Sequence, residues 1–132
     1  MCTYTKGFYR NHPNVTASVI AGMNGSVRLG TVNLTAAQAQ GVLEATPGST
    51  GNVTYTSNLL LNLAQQVITA KLNVARGSTA SAGVQSAIAS ASSAITVTLT
   101  NGQIRLTSAL STDSASALNS TIENFNAASD CG

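Results

Sequence analysis

Charge is what this sequence has least of. Only 8% of its 132 residues are Asp, Glu, Lys or Arg, whereas about a quarter is typical of soluble domains. Four acids and six bases leave a formal net charge of +2, and the bases are scattered along the chain. A nucleic-acid interface requires clustered Lys and Arg. The composition therefore excludes nucleic acid as a partner.

Uncharged polar residues take the place of the missing charges. Ser and Thr together make up about a quarter of the chain, which is well above their average usage. A surface of this kind is typical of extracellular and matrix proteins. It also favours association between copies, because little like-charge repulsion keeps them apart.

Catalytic groups are scarce as well. His12 is the one histidine, so a hydrolytic triad or a metal site would have to be built around it. Neither a nucleophile elbow nor a phosphate-binding glycine loop is present. The few carboxylates fall mostly near predicted helix ends, which does not favour the carboxylate pair of a glycosidase. We predict no enzymatic activity, no catalytic residue, no metal and no cofactor. The four acids are Glu44, Asp113, Glu123 and Asp130.

The two cysteines, Cys2 and Cys131, stand near the two ends of the chain. We predict one disulfide that joins the termini of a single secreted domain spanning residues 1–132, because such a bond persists only in an oxidising compartment. A link between two chains is an alternative. A lipid on Cys2 is another, if Met1 is a start residue added to a mature sequence. No apolar run approaches the roughly 20 residues of a membrane span.

Four segments have the pattern of helices. The longest covers 57–76, where a wide apolar stripe predicts the central core element and Arg76-Gly77 predicts the end. A capping-box pattern at Thr35 and Gln38 opens a helix over 36–45, which Pro47-Gly48 stops. The remaining two are an Ala- and Ser-rich segment over 79–93 and a helix over 113–126.

Two Asn-Gly pairs between alternating apolar residues predict β-hairpins. The turn at Asn101-Gly102 places Thr100 opposite Gln103 and Leu99 opposite Ile104, with the alternate apolar side chains on one face. The turn at Asn24-Gly25 pairs the residues of 20–22 with those of 27–29, although 15–22 also fits a helix. Together these patterns predict an α+β fold: about four helices around the 57–76 helix, with a small antiparallel sheet.

Threonines alternate along the first strand of the second hairpin. Thr96, Thr98 and Thr100 share one face at a spacing of about 6.6–7 Å, which resembles a flat face that binds ice or polysaccharide. Threonine also favours strands in general, so an ordinary solvated sheet face is the other interpretation.

The first residues of the chain carry a resemblance. The segment CTYTKGFYRNHP (2–13) resembles C-T-x-T-x-G-[FY]-[YW]-[KR]-N-H-P, the opening of a family of small secreted bacterial domains. LAQQVITAKLNVARG (63–77) is similar to a helix of that family. The resemblance implies secretion and a closed domain, but no activity. Its motif residues here are Tyr4, Gly7, Phe8, Tyr9, Arg10, Asn11, His12 and Pro13.

We expect the motif to have a structural role. Phe8 and Tyr9 should pack into the core, while Tyr4, Asn11 and His12 should hydrogen-bond to backbone and hold the N-terminal segment in place. Stacking of the rings on a sugar is the alternative.

The function predicted from these observations is a non-enzymatic structural or cell-surface module that associates with itself into matrix or filament. A glycan- or ice-binding module that uses the threonine face is the competing hypothesis, and a secreted hydrolase comes third.

Overall fold

The chain folds into helices that surround one long helix, with two small sheets on the outside. A computed structural model describes residues 1–131 and shows an α+β architecture with a Cys2–Cys131 disulfide. In chain order, its helices are α1 (Lys6–Asn11), α2 (Pro13–Ala21), α3 (Ala36–Glu44), α4 (Asn58–Ala75), α5 (Ala82–Ala94) and α6 (Thr112–Ala127). Its strands are β1 (Val27–Leu29), β2 (Val32–Leu34), β3 (Val53–Tyr55), β4 (Ile95–Thr100) and β5 (Gln103–Ser108).

The four predicted helices are confirmed as α3 to α6. Thr35 forms the predicted capping box with Gln38 at the start of α3. At the other end of α4, Gly77 has φ 108°, and its N–H bonds to the Val74 carbonyl at 3.0 Å. The Ser78 N–H bonds to the Asn73 carbonyl at 3.0 Å. These two bonds form a Schellman motif, which explains why a glycine is needed there.

The hairpin predicted around Asn24-Gly25 is wrong, and the helical alternative for 15–22 is confirmed as part of α2. Asn24 and Gly25 have φ 61° and 84°, and the Gly25 N–H bonds to the Ile20 carbonyl at 3.0 Å. The Asn-Gly pair thus terminates a helix. The hairpin forms one strand later, where Val27 pairs with Leu34 and Leu29 with Val32.

The second hairpin has the predicted register, with Thr100 opposite Gln103 and Leu99 opposite Ile104. The sheet, however, is mixed and not purely antiparallel, because β3 pairs with β5 in parallel to give the order β3-β5-β4. The Ile104 N–H bonds to the Asn52 carbonyl at 2.9 Å. Strand β3 has only three residues, Val53–Tyr55. It was not predicted, because so short a segment shows no strong alternation of apolar and polar residues.

Helix α4 is the centre of the core, as predicted. Each residue from 63 to 70 is buried, because α1, α3, α5, α6 and the two sheets all pack around it. Burial on all sides explains its wide apolar stripe. Tyr9 of α1 is fully buried against this core, as expected, whereas Phe8 is half-buried.

The two additional helices, α1 and α2, arise in the motif segment. Thr5 caps α1 by accepting a hydrogen bond from the Phe8 N–H, and Pro13 occupies the first turn of α2, where its missing N–H costs nothing. His12 separates the two helices. Helix α1 has only six residues, which is too short for apolar residues to recur with the period of a helix.

We predict that Gly30→Ala destabilises the fold more than Gly51→Ala. Both glycines have positive φ, 62° and 60°, so both substitutions carry a backbone cost of about 1–2 kcal/mol. A Cβ at Gly30 would also lie 2.3 Å from the Ile95 carbonyl oxygen, whereas nothing lies within 4 Å at Gly51. Urea denaturation should show an additional loss of about 1–3 kcal/mol for Gly30→Ala. Equal losses would contradict the close approach of the β1–β2 turn to β4.

Candidate functional site

The two ends of the chain are joined by more than the disulfide. Cys2 and Cys131 have Cα atoms 5.2 Å apart, and the adjacent Thr3 pairs with Asp130 as a parallel bridge. The Thr3 N–H bonds to the Ser129 carbonyl at 3.0 Å, and the Cys131 N–H to the Thr3 carbonyl at 2.8 Å. Closing so long a loop is worth about 4–5 kcal/mol in the chain-entropy model.

Aromatic rings of the N-terminal motif form a stack along the surface. The Tyr4 and Phe8 rings stack with centroids 3.7 Å apart, and Phe8 stacks on His12 at 4.0 Å. The Arg76 guanidinium lies over the Tyr4 ring, with its central carbon 4.2 Å from the ring centroid. The Tyr4, Phe8 and His12 rings therefore contact one another at the surface, while Tyr9 is buried.

The remaining motif residues have unequal roles. The His12 Nδ1 lies 2.8 Å from the Phe8 carbonyl, in the backbone contact that we expected. Asn11 is exposed, and its side chain makes no hydrogen bond to residues 1–131, contrary to expectation. Gly7 lies within α1, where an added Cβ would meet only the Thr5 hydroxyl at 3.9 Å.

The buried amide of Asn73 is the anchor of this motif. Its Oδ1 accepts hydrogen bonds from the Tyr4 N–H at 2.9 Å and from the Tyr9 hydroxyl at 2.7 Å. Its Nδ2 donates to the Tyr4 carbonyl at 2.9 Å and to the Asn126 Oδ1 at 3.1 Å. One side chain of α4 therefore holds the N-terminal segment, α1 and α6 together. This residue was not among the predicted site residues.

A seam of amides between α4 and α6 was missed as well. The Asn62 Nδ2 donates to the Asn119 Oδ1 at 2.8 Å, and the Asn126 Nδ2 donates to the Gln66 Oε1 at 2.8 Å. A signal was present, because polar residues of α4 recur every three or four positions and so lie on one face. They are Asn62, Gln66, Thr69 and Asn73, followed by Arg76 at the C-cap.

The predicted threonine face exists and is exposed. Thr96, Thr98 and Thr100 of β4 all lie on the outside of the three-stranded sheet. Thr98 stands opposite Arg105 of β5, which in turn pairs with Thr54 of β3. The parallel strand thus adds a threonine to this face. Arg105 is its charged member.

The outer edge of β4 has free backbone groups. In a two-residue hairpin the flanking pair, Thr100 and Gln103, is hydrogen-bonded, so the groups of Val97 and Leu99 point away from β5. The Ile104 N–H, opposite Leu99, correspondingly points away from β4 and bonds to the carbonyl of Asn52, the residue before β3. Apart from the β4–β5 ladder, no hydrogen bond within residues 1–131 uses the backbone of Val97 or Leu99.

The described residues, 1–131, contain no candidate metal centre. In that part of the chain, no three His, Cys, Asp or Glu residues lie close enough to hold a metal ion. None of the helices described is both long enough and apolar enough to cross a membrane. Comparison with known proteins found no matching protein family, no similar curated protein and no similar solved structure.

We predict that the fold loses stability above pH 10 through Tyr9. Burial raises the pKa of Tyr9 to about 12, and the nearby Arg76 lowers it in part. Because the pKa of Tyr9 in the folded chain exceeds its ordinary value of 10.0, the contribution of the neutral Tyr9 to stability is complete below pH 10 and is lost as the pH rises to about 12. The change is roughly 2–3 kcal/mol.

The control is Tyr9→Phe, measured by urea denaturation between pH 8 and about pH 12. The variant should be less stable than the parent at pH 8 by about 1–2 kcal/mol, because the Asn73 Oδ1 loses a buried donor. The difference should shrink as the pH rises and reverse in sign near pH 12, because the roughly 2–3 kcal/mol that the parent loses exceeds it. If the free energy of unfolding falls with pH to the same extent in parent and variant, Tyr9 does not titrate as described.

Proposed function

We propose that this protein is a non-enzymatic extracellular structural module that associates with copies of itself through the edge of β4. The observation that carries the proposal is the free backbone of Val97 and Leu99. An unpaired strand edge is a template for adding another strand, with main-chain hydrogen bonds supplying affinity. The disulfide supports an oxidising compartment.

The side chains along β4 favour such an association. Protected edges usually carry lysine, proline or a bulge, but β4 has the sequence ITVTLT. Leu99 is 42% exposed, although it lies on the apolar face of the hairpin, because the end of the hairpin extends beyond the core. Added strands would cover this leucine. The contact would contain few ion pairs and would persist at high salt, where the Debye length falls to about 3 Å.

Geometry determines what the association builds. If β4 pairs with β4 of a second copy across a two-fold axis, the assembly closes as a dimer. If β4 pairs with the opposite edge strand, β3, each contact leaves a new free edge, and the result is an open filament. The matrix or filament function requires the second arrangement.

We predict that Leu99→Lys abolishes self-association. A charge at an edge position opposes pairing with another strand, and Leu99 is exposed enough to replace without opening the core. The matched control is Gln103→Lys, which adds the same charge to an exposed position of β5, away from the edge. Sedimentation velocity and electron microscopy at low and at 1 M salt measure the outcome.

The parent and Gln103→Lys should form ordered assemblies at both salt concentrations, while Leu99→Lys stays monomeric. A parent that is monomeric at high concentration would refute the proposal. A parent that stops at a dimer would refute the filament. If Leu99→Lys still assembles, the contact between copies lies on a surface other than the edge of β4.

A second candidate function rests on the threonine face, to which Thr54 of β3 and the threonines of β4 contribute exposed side chains. Glycan or ice binding through this face requires no assembly. Thr98→Lys places a charge at its centre and leaves every backbone donor in position. A monomeric parent that binds to a glycan array or shapes ice, with the activity lost in Thr98→Lys, would establish this function in place of the first.

A further inference from the structure

A cavity of about 220 Å³ lies beside α1 and is lined by two bases, Lys6 and Arg10. They stand four residues apart on one face of a helix, a spacing at which like charges oppose helix formation. Among residues 1–131, no carboxylate lines this cavity. Two of the six bases of a charge-poor chain thus face one concave site without a neutralising partner. Its other polar lining residues are Thr46, Asn58, Asn62 and Gln65.

Lys6 is held at this cavity by a buried amide. Gln65 is 4% exposed, and its Nε2 donates to the carbonyls of Val42 and Ala45, both at 2.9 Å. That pairing turns the Gln65 Oε1 toward Lys6, whose Nζ donates to it at 2.9 Å and also donates to the Asn62 Oδ1. Both acceptors are neutral, and an ammonium has a third N–H to donate.

The backbone of Arg10 is held in place, but its guanidinium has no partner in the described chain. Its carbonyl accepts a hydrogen bond from the Gln40 Nε2 at 2.9 Å, while its guanidinium has no hydrogen bond or ion pair with a residue in the range 1–131. Gln40 also binds the exposed Glu44 at 2.8 Å. Burial lowers the pKa of Lys6, Arg10 lowers it further, and Glu123 raises it. The positive charges of this site are therefore incompletely compensated.

The start of α4 adds to the positive potential. Asn58, the first residue of α4, lines the cavity, and the N-terminus of an 18-residue helix carries a partial positive charge. Acidic residues commonly occupy the first turn for that reason, but α4 has none there.

We propose that this cavity is a binding site for a small oxyanion, a carboxylate or sulfate group held between Arg10 and Lys6. A planar guanidinium binds such groups through two parallel N–H bonds, and the Lys6 ammonium supplies a further donor. The volume is below the roughly 300–1,000 Å³ of pockets for drug-sized ligands. It suits one acid group with a few attached atoms, such as an acidic sugar unit or a free inorganic ion. The site does not depend on association through β4.

Titration of the disulfide-bonded chain with sodium glucuronate and with sodium sulfate tests the proposal. Backbone and side-chain amide shifts are followed by NMR at constant ionic strength, with sodium chloride and glucose as controls. We expect saturable shifts at residues 6–10 and at the side-chain amides of Asn58 and Asn62. Arg10→Gln should weaken binding about ten- to hundredfold, and Arg10→Lys should weaken it less.

Lys71→Met is the matched control. Lys71 is also a half-buried lysine with neutral acceptors, since its Nζ donates to the Arg28 carbonyl at 2.7 Å and to the Ser92 Oγ at 3.1 Å. Lys71 does not line this cavity. Lys71→Met removes one positive charge, as Arg10→Gln does, but it should leave the affinity for the oxyanion unchanged. Arg10→Gln should fold normally, because the Arg10 side chain makes no hydrogen bond in the described chain.

The two probes distinguish the sources of the oxyanion. Tighter binding of glucuronate than of sulfate supports an acidic sugar, with Asn58 and Thr46 available for its hydroxyls. Equal binding of both supports a general site for free oxyanions. The proposal is overturned if neither probe gives saturable shifts, if chloride gives the same shifts, or if a folded Arg10→Gln variant binds as well as the parent.

Discussion

The hydrogen bonds of the buried Asn73 amide are the constraint on which the placement of the N-terminal segment, α1 and α6 depends. Its oxygen and nitrogen satisfy the backbone of Tyr4, the hydroxyl of Tyr9 and the amide of Asn126 at once. A fully buried amide without these partners would cost several kcal/mol. The segment, α1 and α6 therefore have one arrangement around α4 in which the core is satisfied, and the disulfide closes that arrangement.

The same principle applies along the whole of α4. A helix whose middle, residues 63–70, is buried on all sides would normally be apolar there, yet this one carries amides that bond to α1, α3 and α6. Gln65 reaches two carbonyls at the end of α3, and Gln66 reaches α6. Satisfied polar networks of this kind specify one packing where apolar contacts alone permit several. With few charges on the surface, this protein relies on neutral hydrogen bonds for its specificity.

Scarcity of charge also connects the two proposed surfaces. An edge strand without lysine and a threonine face with a single arginine leave β4 open to neutral, main-chain pairing. At the opposite extreme, Lys6 and Arg10 are gathered in one cavity, where their charges are not offset by a lining carboxylate. The chain has only six bases, and two of them line this one cavity. Their positive charges have a chemical consequence only if an anion binds there.

Local patterns in the sequence determined the elements whose signals lie within a few residues. The capping box at Thr35, the end of α4 at Gly77 and the register set by Asn101-Gly102 follow from backbone preferences that need no distant partner. The same reasoning failed at Asn24-Gly25, because left-handed residues end a helix as readily as they turn a hairpin. The pairing of the two cysteines was predictable because the described chain offers each of them one other thiol.

Only the tertiary structure decided which polar residues lie inside. Asn62, Gln66 and Asn73 have the spacing of a helix face, but that spacing alone describes a solvated face equally well. Gln66 and Asn73 are buried and Asn62 is half-buried, because α6 and the N-terminal segment contribute the matching donors and acceptors from more than 50 residues away in the chain. Likewise, Arg10 and Gln65 are 55 residues apart in sequence, and packing of α1 against α4 brought them to one cavity.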